Sequence, residues 1–173
     1  MATGRAVPFA GGEPSDKSTL EIVRKKGFSA NDLLSFEFVR RMPQINRSGD
    51  LKKKDIETIY LEYVQSKAKD YKIKEATFTF EQFKAWYANK QGREFSLTSG
   101  GQGETAPLDE GPFYTQKISL EVTRGRDENI LSTIAGMLNK YNNVLVIYGS
   151  SHYRIQHEAL TNALGGPKEL APF

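Results

Sequence analysis

Read as a succession of apolar and polar positions, the chain strings helical patterns between turns and reaches its longest apolar run late. Val144, Leu145, Val146 and Ile147 follow one another without a polar residue, bounded by Asn142-Asn143 and Gly149. Such a run predicts a strand over 143–148 buried on both faces, and therefore the middle of a sheet. Beyond Gly149-Ser150-Ser151-His152 the spacing of Ile155, Ala159, Leu160 and Ala163 turns helical and predicts a helix over 153–164.

Upstream the pattern is helical. Leu20 and Val23 share one face of a predicted helix over 16–26, which Gly27 stops. Ser29 and Asp32 have capping-box spacing and open a helix over 30–42, ended by Pro43 because proline has no N–H to donate. Asp50 is placed to cap a third helix over 51–69, where Ile56, Ile59, Tyr60, Tyr63 and Val64 recur at helical spacing. The stretch NRSGDLKKKD lacks the alternating carboxylates and closing glutamate of a calcium loop.

Thr79 and Gln82 form a second capping box, and the helix they open over 80–90 carries Phe80, Phe83, Trp86 and Tyr87 at core spacing. Ile118, Leu120 and Val122 alternate like a strand, yet Ile130, Ile134, Met137, Leu138 and Tyr141 are helical, and 115–140 is assigned as one helix. Residues 1–14 read as an irregular lead-in and the glycine-rich 96–112 as a flexible loop. The expected fold class is α/β: a single, predominantly helical domain over 1–173, its helices packed around a small parallel sheet that is incomplete in this chain.

Composition narrows the chemistry. The chain has 24 Lys and Arg against 21 Asp and Glu, interspersed except in short runs such as Lys52-Lys53-Lys54, so no nucleic-acid partner is expected. It has no cysteine, which excludes disulfides, thiolate zinc sites and cysteine nucleophiles. No window approaches the roughly 18 consecutive apolar residues of a membrane helix. The opening MATGRAVPFAGGEP also lacks the apolar core of a signal peptide, and the compartment stays open.

Candidate chemistry rests on few residues. His152 and His157 are the only histidines, and their spacing is not the i, i+4 pair of a helical metal site. Ser150 and Ser151 follow the predicted strand without a G-x-S-x-G elbow. Arg126 and Asp127 are expected on the polar side of their helix, as an exposed ion pair contributing about 0–1 kcal/mol.

Taken as a set, the VLVIY-G-S-S-H segment and the upstream R-x-R-D-x-N-I resemble the second G-x-x-H motif and the preceding arginine region of the TraB/PrgY/Tiki group, itself distantly related to haem-binding ChaN and the erythromycin esterases. Gly149-Ser150-Ser151-His152 matches the motif, Arg124, Arg126 and Asp127 take the place of the polar segment, and Glu13 looks like the group's acidic residue. The resemblance implies a hydrolase-like domain in which a divalent zinc, manganese or cobalt ion lowers the pKa of bound water to about 7. It gives His152 and Glu13 the roles of metal ligand or base, with Arg126 as stabiliser of developing charge, oriented by Asp127, and a small-molecule or peptide as substrate.

Members of the group carry an earlier G-x-x-H, and this sequence has no histidine before His152. Two explanations stay open: the chain is the later part of a longer α/β domain, or it has lost half its site. The first is favoured, because a single strand would leave its backbone groups unpaired. A sheet edge beside 143–148 would also promote self-association. Two further readings belong to other classes. One is a non-catalytic haem- or metal-binding module, with His152 or Tyr148 as ligand and Gly149, Ser150 and Ser151 around it. The other is a helical interaction domain that meets its partner through 96–112.

Overall fold

The computed structural model describes residues 7–74, 78–101 and 103–166; within it, nothing is described of the side chains of residues 150–153. Among the described residues the architecture is helical throughout: α1 (Asp16–Lys25), α2 (Ala30–Ser48), a short 3-10 turn (Asp50–Lys52), α3 (Ile56–Asp70), α4 (Phe80–Gln91), α5 (Tyr114–Leu138) and α6 (Ser150–Leu164). The expected α/β class is therefore corrected. No strand occurs among the described residues, and 143–148 is an irregular connection between α5 and α6. A buried strand needs neighbours to take its N–H and C=O groups, and here only helices are at hand, whose own bonds are already internal.

The chain divides into two compact units, one of residues 14–126 and one of residues 1–13 with 127–173. In the larger unit the local signals in the sequence are realised closely. Ser29 and Asp32 form a full capping box, with the Asp32 carboxylate accepting the Ser29 N–H at 2.7 Å, and Thr79 with Gln82 forms another. Gly27, at φ +86°, completes a Schellman stop: its own N–H reaches the Arg24 carbonyl and that of Phe28 reaches the Val23 carbonyl.

Two helix boundaries differ from the expectation. Helix α2 runs on through Pro43 to Ser48. Proline cannot bond to the carbonyl of Val39, four residues back, yet the helix continues, and Gly100 lies too close to that carbonyl to carry a Cβ. Helix α3 is capped by Asp55, whose side chain accepts the Thr58 N–H at 2.8 Å, not by Asp50, which opens the 3-10 turn.

The core of this unit joins all five of its helices through Val23, Leu33, Phe38, Tyr60, Phe83 and Ile118, each fully buried. Phe83 lies edge-on to Phe38 with ring centroids 5.2 Å apart, and edge-on to Phe95 at 5.0 Å. Such geometry sets the positive ring edge against a negative ring face. The aromatic spacing of α4 is thus core packing. Trp86 keeps a polar link from the edge of this core, donating its indole N–H to Asp32 at 2.8 Å.

The glycine-rich stretch 96–112 is tied to this unit by one carboxylate. Glu104 is buried and accepts from the Tyr87 hydroxyl, the Gln91 amide, the Arg93 guanidinium at 2.7 Å and the Gly100 N–H at 2.6 Å. Its backbone carbonyl is taken by Thr115, and Ser119 donates to the carbonyl of Thr105 at 2.8 Å.

Candidate functional site

The smaller unit is built differently. Its part of α5 buries Ile130 and Ile134, one helical turn apart on the same face. The lead-in lies along that face: a Cβ on Gly12 would stand 3.2 Å from Ile130 Cγ1, and Asn129 donates its side-chain amide to the Gly12 carbonyl at 2.7 Å. Together with the connection 143–148, these elements border a cleft of about 350 Å³ whose walls include Phe9, Ile134, Met137, Val144 and Val146.

A chain of hydrogen bonds runs beside the cleft. Gln156, only 1 % exposed, donates its amide to Asp127 at 2.8 Å and accepts a long 3.5 Å bond from the Tyr148 hydroxyl. Burial first, and then the nearby Asp127 charge, push the Tyr148 phenol above its ordinary value. Tyr148 is accordingly a neutral hydrogen-bond donor near pH 7.

The connection itself shows a two-residue rhythm. Leu145 is 86 % and Ile147 82 % exposed, whereas Val144 and Tyr148 are half-buried and Val146 is 41 % exposed. Alternation of this kind belongs to an extended chain that lays one row of side chains on its own unit and turns the other outward. From Asn143 to Ile147 the backbone makes no backbone–backbone hydrogen bond with the described residues. The expectation of a strand buried on both faces is corrected to one half-covered face and one open face.

The predicted site residues fall as follows. Asp127 and Tyr148 are brought to one place by Gln156, and Asp127 is buried rather than exposed. Glu13 is exposed ahead of α1, and Arg126 is half-buried on α5 within the larger unit. Gly149 is the N-cap of α6 at φ −68°, a conformation open to any residue, so its glycine freedom is not used there. Ser150, Ser151 and His152 form the first turn of α6, and their side chains lie outside the described ones. His157 is exposed on the same helix.

Gln156 is the residue that sequence reasoning missed. The spacing of Ile155, Ala159 and Ala163 gave α6 an apolar inner face, yet Ile155 is 56 % exposed and the adjacent polar side chain is the one buried. No motif marks it, and only the pairing with Asp127 reveals it. Among the described residues no group of three His, Asp or Glu side chains is placed to hold a metal ion. No described helix is long and apolar enough to cross a membrane. Comparison of the chain with family models, with curated proteins and with solved structures finds no match.

Proposed function

We propose that this chain is an interaction module whose smaller unit docks an extended apolar peptide segment along residues 143–147. The observation that carries this reading is the exposure of Leu145 and Ile147 on a connection that makes no backbone–backbone hydrogen bond with the described residues. Addition of a strand to such an edge draws affinity from main-chain hydrogen bonds and selectivity from alternate side chains. Val7 and Phe9, also exposed in this unit, extend the apolar surface beside it. The larger unit, by contrast, gathers most of its large apolar residues into one core.

The test is amide hydrogen exchange with a short, uncharged Val- and Ile-rich peptide, at protein concentrations too low for self-contact. Protection gained at 144–147, and lost when Leu145 and Ile147 are both replaced by Asp, is the expected result. A peptide that leaves these amides unprotected would overturn the reading.

Metal-dependent hydrolysis and haem binding remain proposals with direct tests of their own. For the first, zinc, manganese or cobalt should stimulate cleavage of ester or peptide substrates. For the second, Tyr148 in the cleft wall is the described candidate ligand, and a Soret band should follow haem addition.

A further inference from the structure

Resting on the docking reading above, we infer that the occupant of 143–147 is the same segment of a second copy of this chain, paired antiparallel about a twofold axis through Leu145. Two properties of the segment select this partner. Between Lys140 and Arg154 the chain carries no Lys, Arg, Asp or Glu, so two copies meet without charge repulsion. The stretch also lacks proline and the charged side chains by which exposed edges are ordinarily kept from pairing.

VLVIY is the longest uninterrupted apolar run in the sequence, and it is β-branched at Val144, Val146 and Ile147, which suits a paired strand. A partner strand must be uncharged, apolar and extended, and each chain supplies one. Antiparallel pairing of identical segments is isologous, so the contact closes on itself as a dimer and does not propagate into a fibre.

The register follows from the symmetry. Leu145 lies opposite its own copy, Val144 opposite Val146, and Asn143 opposite Ile147. Leu145 and Ile147 are the outward row, so the two Leu145 side chains cover one another across the axis. Val144 and Val146, the less exposed row, stay on their own unit.

The absence of cysteine makes the register directly readable. In a Leu145→Cys variant the two thiols face each other across an antiparallel pair, at a Cα separation of roughly 4.5–5.5 Å that a disulfide spans. Mild oxidation should convert this variant to a covalent dimer at least tenfold faster than Lys140→Cys, a control outside the paired segment. Sedimentation equilibrium of the unmodified chain should show a dimer that dissociates on dilution. Ile147→Lys should be monomeric with unchanged helical circular dichroism.

A chain monomeric at every concentration would overturn the inference, as would a dimer that survives Ile147→Lys or equal cross-linking at the two cysteine positions. If the chain is monomeric yet still protects 144–147 on adding the apolar peptide, this inference falls and the docking reading stands. If neither occurs, both fall.

Discussion

The carbonyl oxygen of Val39 faces Gly100 across a gap too small for a Cβ. Pro43 frees that carbonyl from the helix ladder of α2, and the Gly100 backbone closes on it, at φ +83° and with its N–H held by Glu104. Gly100→Ala meets both a backbone clash and a disfavoured φ, and is expected to destabilise the larger unit by about 2–4 kcal/mol. Gly101→Ala, with open space around it, should change stability by less than about 0.5 kcal/mol. Urea denaturation of the two variants checks the contrast.

Glu104 is the second point at which one residue organises many. Its carboxylate has four donors, and Glu104→Gln replaces one acceptor oxygen by an amide that faces N–H groups. The expected loss is about 2–4 kcal/mol, because breaking one side of a buried charged network leaves its partners unsatisfied. Exchange of the Gly100 amide should accelerate in the same variant. Glu110→Gln, at an exposed position of the same stretch, serves as the neutral control.

Alkaline pH should weaken the larger unit through its tyrosines. Burial pushes Tyr60, Tyr63 and Tyr71 well above the ordinary tyrosine range, and the Glu37 charge adds to the effect at Tyr63 and Tyr71. A folded-state pKa above the unfolded value means that the native state holds its protons longer. Stability is therefore fully present below about pH 10 and falls as pH rises from there through the folded values. Urea midpoints measured from neutral to alkaline pH should decline only above that point, with tyrosinate absorbance appearing together with unfolding. The buried Tyr60 hydroxyl has no hydrogen-bond partner among the described residues. Tyr60→Phe is accordingly expected to raise stability by about 1 kcal/mol.

In the smaller unit the Asp127 charge helps to raise the Tyr148 phenol, after burial. Asp127→Asn removes that charge and leaves the burial, so the Tyr148 titration should move to lower pH. Carbon-detected NMR of labelled tyrosine resolves it from the other seven of the chain's eight tyrosines. A Tyr148 titration unchanged in this variant would deny the electrostatic link to Asp127.

What the sequence made legible was whatever is decided within one or two helical turns. The Ser29–Asp32 and Thr79–Gln82 boxes, the Gly27 stop and the aromatic face of α4 all depend on neighbours close in the chain, and they emerge as expected. Pro43 misled because a proline costs the helix one bond without obliging it to end, and α2 runs on to Ser48. Val144 to Ile147 misled for a related reason: an apolar run states a preference for burial and for an extended backbone, but not whether neighbouring strands exist to receive it. Gln156 was invisible because its partner Asp127 lies 29 residues away and an amide carries no motif.

The Glu104 hub also bears on the order in which the larger unit assembles. Its side-chain partners are near in sequence, with Tyr87 17 residues away and Gly100 four. Closing loops of this size costs little chain entropy, and the cost grows only logarithmically with length. The stretch from α4 to the start of α5 can therefore close locally, before the long-range encounter that brings Gly100 against α2. A polar knot of short reach thus fixes the bend of the Gly100 backbone with groups from its own neighbourhood in the chain, and the surface it offers to α2 is shaped without help from distant residues.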